Sequence, residues 1–285
     1  MSEKISKRKP EWLRVKCDSE SAKEIETMMK ALSLNTVCKE ANCPNLGECY
    51  KKRTATFMIM GSQCSRNCRF CNVTNGIPKK LDKNEPIHVA EAVKKLGLKH
   101  AVITSVTRDD LQDGGAIHFA KTIEAIRDLN PDTTIEVLIP DLKGVKSSLD
   151  IIINANPDVI NHNVETIKEL YNEVRPEAIY ERSIEVLEYV KKTAPHIFTK
   201  TGIMVGLGEN DEQVYKVMDD VLAVGCDIFT VGQYLRPSKL HIEMKEYIAP
   251  EKFEEYRLVG IEKGFKYIAS SPLVRSSYKA EEAIK

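Results

Sequence analysis

From residue 54 onward the chain repeats one pattern six times: a short β-branched, apolar run, then a longer stretch with apolar residues at helical spacing. The plainest strand, HAVITSV at 100–106, is almost continuously apolar, as a strand must be when both faces of its sheet are covered. The others are TATFMIMG at 54–61, TTIEVLI at 133–139, VINHNV at 159–164, FTKTGIMV at 198–205 and DIFTVGQYL at 227–235. Helices are expected over 87–97, 116–129, 145–155, 165–174, 180–192, 211–224 and 250–264. In 211–224 the residues Val214, Val217, Met218, Val221 and Leu222 make one stripe, and Asn210 with Gln213 is spelled as a capping box. Successive βα units require parallel strands joined by right-handed crossovers. The fold class is therefore α/β, a partial (β/α)6 barrel of TIM type over 54–264, with extensions at 1–53 and 265–285 covering its top. A doubly wound open sheet would satisfy the same periodicity. In either architecture, ligands sit beyond the carboxyl ends of the strands.

Cysteine is the second constraint. Of eight cysteines, six fall between 38 and 71. The opening MSEKISKRKPEW has no apolar core and carries acids, and no run of 18 apolar residues occurs, so neither a targeting segment nor a membrane span is readable. A cytoplasmic location is expected, where clustered thiols bind metal rather than form three disulfides. Lys+Arg and Asp+Glu are both 42, which leaves no basic excess for nucleic acid. Cys226 reads as a small buried hydrophobe, and Cys17 has no neighbour that gives it a role.

The six form two sets of three. Cys38, Cys43 and Cys49 are spaced C-x4-C-x5-C, and Cys64, Cys68 and Cys71 are spaced C-x3-C-x2-C in the loop that follows the first strand. Structural zinc takes four closed ligands, and neither set supplies them; zinc shared among all six thiolates is the plainer alternative. An iron–sulfur cluster fits better. Four-iron clusters take one thiolate per iron, so three cysteines leave one iron open for a substrate or cofactor.

With Phe70 before its last cysteine, CSRNCRFC at 64–71 resembles the motif of the radical S-adenosylmethionine superfamily. Together with C-x4-C-x5-C, TSVTRDDLQDGGA at 104–116, NHNVET at 161–166 and RSSY at 275–278, the chain is similar to the lipoyl synthases from Lys9 to Tyr278. That resemblance implies two 4Fe–4S clusters. Cys64, Cys68 and Cys71 would hold the one whose open iron chelates S-adenosylmethionine and whose electron releases a 5′-deoxyadenosyl radical. Cys38, Cys43 and Cys49 would hold an auxiliary cluster with Ser277 as its fourth ligand. A hydroxyl is a harder and poorer ligand than a thiolate, so that corner would open easily. The implied substrate is an octanoyl chain amide-linked to a lysine of a lipoyl carrier protein, either the E2 lipoyl domain of a dehydrogenase complex or the glycine cleavage H protein. C6 and C8 would each lose a hydrogen atom and gain a sulfur from the auxiliary cluster, using two S-adenosylmethionine molecules. No acid–base catalytic residue is needed, because the radical comes from the cofactor. A ferredoxin or flavodoxin would supply electrons to a monomer that binds neither nucleic acid nor membrane.

The same resemblance places S-adenosylmethionine near Phe70, Ser105 to Arg108, Glu165, Arg175, Met204 and Gly206. Met204 stands where an isoleucine is usual. Read without it, Gly206 would end a strand, and Glu165 and Arg175 would be helix-surface charges. Asn161, His162 and Asn163 receive no role, nor do the other five histidines. Four stretches depart from the family pattern: Leu142 and Lys143 replace phenylalanine and arginine, Asn210 replaces threonine, Ser271 replaces glycine, and 238–244 is an unusual run. Other sulfur-inserting radical enzymes, or an electron-transfer or iron-sensing protein, are the rival classes; the C-x4-C-x5-C set and RSSY argue against the former, the open iron against the latter.

Overall fold

The computed structural model describes residues 9–14 and 19–284; Cys17 lies outside the described residues. Among the described residues a 3-10 turn (Glu11–Leu13) comes first, followed by α1 (Ser19–Ala31), β1 (Asn35–Thr36), α2 (Val37–Glu40) and α3 (Leu46–Lys51). The repeat then runs β2 (Thr56–Ile59), two small strands β3 (Gln63–Cys64) and β4 (Thr74–Asn75), α4 (Glu85–Leu96), β5 (His100–Ser105), α5 (Ala116–Leu129), β6 (Thr134–Leu138) and α6 (Lys146–Asn154). It continues with β7 (Val159–Asn161), α7 (Tyr171–Val174), α8 (Tyr180–Thr193), β8 (Phe198–Val205), α9 (Asp211–Ala223), β9 (Ile228–Gln233), α10 (Pro250–Lys263) and β10 (Tyr267–Ser270).

One eight-stranded sheet has the order β1-β2-β5-β6-β7-β8-β9-β10, parallel throughout except where β1 runs antiparallel to β2. The repeat strands neighbour each other in chain order. A doubly wound sheet would reverse direction at a switch point, so sequential order selects the barrel. Its edges, β1 and β10, do not pair, which makes the barrel partial. All six expected strands are present. Val89, Val93, Phe119, Ile123, Ile152 and Val190 press the helices onto the strands' apolar outer face. The capping box of α9 forms in full, Asn210 Oδ1 accepting from Gln213 N and Gln213 Oε1 from Asn210 N.

Two stretches differ from expectation. The helix expected at 165–174 shrinks to a 3-10 turn and α7. Glu165 N donates to Gly202 O and Met204 N to Glu165 O, which prolongs the β7–β8 ladder past the point where periodicity suggested a helix. Residues 267–270, expected outside the alternation, supply a seventh parallel strand, too short to stand out between Lys266 and Ser271. Gly232 in β9 lets the chain beyond β10 lie against the sheet: a Cβ there would come 2.2 Å from Val274 O. Among the described residues no helix is long and apolar enough to cross a membrane.

Candidate functional site

The loop between β2 and α4 leaves the barrel through a strained turn. Met60 has a left-handed φ of 68°, which costs a non-glycine residue roughly 1–3 kcal/mol unless its surroundings enforce it. They do. Met60 N donates to Glu85 Oε2 at 2.7 Å, Glu85 is in turn held by His118 at 2.7 Å, and Arg108 Nη1 reaches Met60 O at 3.4 Å. β3 then pairs with β4, so Cys64, Cys68 and Cys71 occupy one compact loop, with Cys71 N bonded to Cys68 O.

Arg66, inside that loop, is the residue the sequence reading missed. Its guanidinium is buried; Nε and Nη2 donate to Asp109 at 2.6 and 3.0 Å, and Nη2 donates to Asp141 at 2.7 Å. Asp141 is fully buried and also accepts from Arg182 at 3.3 Å and Lys143 N at 3.1 Å. Burial pushes the Asp141 carboxyl up, but Arg66 more than offsets this and holds it well below the ordinary carboxylate range. Fork-to-carboxylate pairing fixes both distance and plane, so the loop is pinned to the tops of β5 and β6. The signal was present: a lone arginine between two cysteines, and acids just beyond two strand ends. Lys143, one of the departures, takes a left-handed φ of 54° here and donates through Nζ to Asp109 O.

The two cysteine sets lie on facing loops. Asn72, next to Cys71, donates to Glu40 O at 2.9 Å in the loop of Cys38 and Cys43. All six thiols are free. Burial pushes Cys38 and Cys71 up to about 12 and Cys49 up to about 11, and raises Cys43 and Cys68 as well. Such sulfurs are poor thiolates until a cation joins them; a metal centre deprotonates coordinating thiols outright. Thr107 N donates to Cys64 Sγ at 3.3 Å, the kind of bond that tunes a cluster's potential. Among the described residues no three Cys, His, Asp or Glu side chains close on a single ion. Three thiols in each set is the donor number that a four-iron cluster takes when one of its irons is left to another ligand.

The C-terminal segment crosses the Cys38–Cys49 loop. Asn45 Nδ2 donates to Leu273 O at 2.7 Å, and Tyr278 OH donates to Glu48, beside Cys49, at 3.0 Å. The Arg275 charge faces both Cys43 and Glu165. Ser276 Oγ accepts from Asn163 Nδ2 at 2.5 Å, and Ser277, half-buried, sits between these attachments.

At the top of the barrel, unpartnered buried atoms gather where a polar ligand would be bound: Ser105 Oγ, Asn163 Oδ1, Thr166 Oγ1 and Arg175 Nε. Orphaned buried groups are rare and call for a partner. Arg175 is not the surface charge that helical periodicity suggested. It is buried, its charge faces Cys68, and Nη1 donates to Asn163 O at 2.9 Å and Tyr171 OH at 2.8 Å. Glu165 is half-buried, with burial raising its carboxyl against the opposing Arg175 charge. Phe70 and Met204 belong to one apolar patch with Leu170, Ile242 and Met244. The unusual run 238–244 supplies part of that patch and ties down the cysteine loop, His241 Nε2 donating to Cys71 O and Ile242 N to Arg69 O.

Two candidates sit differently from the reading that named them. Arg108 has its fork committed to Asp110 at 2.9 and 2.8 Å, so it acts on Met60 rather than on open space. Gly206 has φ 97°, and a Cβ would meet Gln233 Nε2 at 2.3 Å and Glu246 O at 2.5 Å; protein, not empty volume, makes glycine necessary there. The carboxylate of Glu209 accepts from the amides of Gly206 and Leu207 and holds this turn. His162 is structural. Its Nδ1 donates to Ile139 O and Nε2 accepts from Ser183, so burial keeps the ring neutral, its pKa lowered to about 4.

The family model described as the radical SAM superfamily matches residues 58–221. A lipoyl synthase of Caldanaerobacter subterraneus subsp. tengcongensis is 57% identical over 274 residues, covering 96% of this chain and 96% of its own. One from Alkaliphilus metalliredigens is 55% identical, covering 98% of this chain and 97% of its own. The crystal structure of methylornithine synthase shares the fold, with a TM-score of 0.57 at 12% identity over 94% of this chain and 82% of its own. With more than half its sequence identical to such relatives along nearly its whole length, the chain belongs to the lipoyl synthase family of the radical SAM superfamily.

Proposed function

We propose that this chain inserts two sulfur atoms, at C6 and C8, into an octanoyl chain carried as an amide on a lysine of a lipoyl carrier protein. Cys64, Cys68 and Cys71 hold the 4Fe–4S cluster that binds S-adenosylmethionine; Cys38, Cys43, Cys49 and Ser277 hold the auxiliary 4Fe–4S cluster. When bound, these groups supply a 5′-deoxyadenosyl radical on one side and inorganic sulfide on the other. The observation that carries the assignment is the pair of ties, Asn45 to Leu273 and Glu48 to Tyr278, which fastens the serine-bearing segment to the Cys38–Cys49 loop.

The residues of the chain position and exclude. Arg66, with Asp109 and Asp141, and Glu85, acting through Met60, fix the first half of the loop of the radical-generating cluster. Phe70 and Met204 offer an apolar surface for adenine, Ser105 and Arg175 unpartnered polar atoms for the methionyl and ribosyl parts, and Glu165 a carboxylate. Arg108 and Gly206 shape the pocket from behind, one holding the Met60 turn and the other letting Gln233 close in. Segment 238–244 sets Ile242 and Met244 against Phe70 and Met204 and ties the cysteine loop down through His241, which narrows the access of water to that side of the site.

By this reading residues 1–53 are the extension carrying the auxiliary cysteines, 54–264 the barrel, and 265–285 the segment that adds β10 to its sheet and carries the serine. The enzyme works as a cytoplasmic monomer fed by a ferredoxin or flavodoxin. The test is anaerobic incubation of the reconstituted protein with an octanoyl-lysine peptide, reductant and S-adenosylmethionine. Mass spectrometry should show the peptide gaining two sulfurs; an unchanged peptide in the presence of cleaved S-adenosylmethionine would overturn the substrate assignment.

A further inference from the structure

Ser277 is strung between two attachments that belong to different halves of the site. On its N-terminal side Ser276 Oγ accepts from Asn163 Nδ2 at 2.5 Å. The orientation of that amide is fixed by its second bond, to the Glu165 carboxylate at 3.1 Å, because only the nitrogen can donate to a carboxylate. On the C-terminal side the Tyr278 hydroxyl donates to both oxygens of Glu48, at 3.0 and 3.2 Å. Glu48 lies next to Cys49 on α3, and Lys52 Nζ pairs with its Oε1 at 2.8 Å one turn later. One anchor therefore ends on the barrel rim beside Glu165 and Arg175, the other on the helix that carries an auxiliary cysteine.

A hydroxyl ligand contributes little to holding its own place on iron, since oxygen is a harder donor than the sulfide-rich centre favours. What keeps it there must be the geometry of its neighbours, as with metal ligands elsewhere whose orientation is set by groups outside the coordination sphere. We infer that Tyr278 and Glu48 are positioning residues that hold the Ser277 hydroxyl at the auxiliary centre, with Asn163–Ser276 as the anchor on the opposite side. This rests on the assignment of Ser277 made above. The two bonds differ in strength and exposure. Glu48 and Tyr278 are partly exposed and water can compete for them, whereas Asn163 is buried. The Tyr278 side is thus the one that lets go first, and release begins at the end of the segment away from the barrel.

The test uses the fully reconstituted enzyme and iron release to a ferrous chelator under anaerobic conditions, with Tyr278→Phe and Glu48→Gln as variants. Tyr278→Phe keeps the ring and removes only the donor. A hydrogen bond to a charged but partly exposed partner corresponds to an auxiliary-centre loss about three- to tenfold faster than in wild type. The radical-generating cluster, followed by the spectroscopic change that S-adenosylmethionine induces in it alone, should lose iron at the wild-type rate. Lys52→Met, which cuts the exposed ion pair and spares Tyr278, should leave both rates unchanged. Wild-type rates in both variants would overturn the inference, and so would equal acceleration at the two centres, which is general loosening. Ser276→Ala tests the inner anchor by the same measurement and should also accelerate auxiliary loss selectively. A wild-type protein that never takes up a second cluster would instead sink the ligand assignment itself, a result separable from the variants' behaviour.

Discussion

Replacing Arg66 by methionine tests the claim that the cysteine loop is held by charge rather than by the cluster it carries. Arg66 has 4% of its side chain exposed and Asp141 none, while Asp109 is 25% exposed. The Asp141 half of the network therefore dominates, and the Asp109 half counts for less because solvent screens it. Removing one partner of a buried ion pair costs about 3–5 kcal/mol, chiefly the penalty of leaving the other charge buried. Arg182 and Lys143 N still face Asp141, which favours the lower end, about 3 kcal/mol. Urea unfolding of the reduced, metal-free chain measures this directly, at unchanged slope. The double variant Arg66→Met with Asp141→Leu should recover most of the loss, because a matched apolar pair leaves no orphan charge. The acid limb adds a check: Asp141's carboxyl is lower in the folded chain than its ordinary 3.8, so its contribution is complete above that value and disappears as pH falls below it. A single-variant loss under about 1 kcal/mol, or a double variant no better than the single, would mean that this ion pair does not hold the loop.

Three further outcomes follow from the same geometry. Lys200→Met should cost about 3–5 kcal/mol, because Lys200 Nζ bonds both oxygens of the buried Glu136 at 2.9 and 3.0 Å, and adding Glu136→Leu should restore most of it in thermal or urea unfolding. Stability should decline as pH falls from 6.5 toward 4, since the unfolded His162 takes a proton there that the folded one refuses; the loss over that window totals about 3 kcal/mol and should shrink in His162→Gln. Ser277→Cys should bind the auxiliary cluster more tightly yet fail in multiple turnovers, as read by lipoyl product per enzyme; full turnover would show that an easily opened corner is unnecessary.

The barrel was legible because its strands and helices differ in period. HAVITSV and the stripe of Val214, Val217, Met218 and Val221 leave little else to fold into. Cysteine spacing marked both three-thiol loops for the same reason: it is local. What escaped was long-range or carried by single residues. Arg66 finds its acids 43 and 75 residues away, and no periodicity announces that. Arg175 looked like a surface charge because the helix expected around it was too long; the backbone of Glu165 stays in the ladder, and α7 starts late enough to turn the guanidinium inward. β10 went unread since four residues bounded by lysine and serines carry too little pattern. Why position 206 must be glycine was not legible either, because the Gln233 side chain and the Glu246 carbonyl that crowd it lie on segments distant in sequence.

The proposed reaction makes a radical at one iron–sulfur cluster and spends the sulfide of another in the same chain. Reconstitution with sulfide enriched in sulfur-34, removal of all free sulfide, and mass spectrometry of the octanoyl-lysine product after a single turnover tests that directly. Two heavy sulfurs in the same product molecule are predicted. A product whose sulfurs carry natural isotope abundance would contradict it.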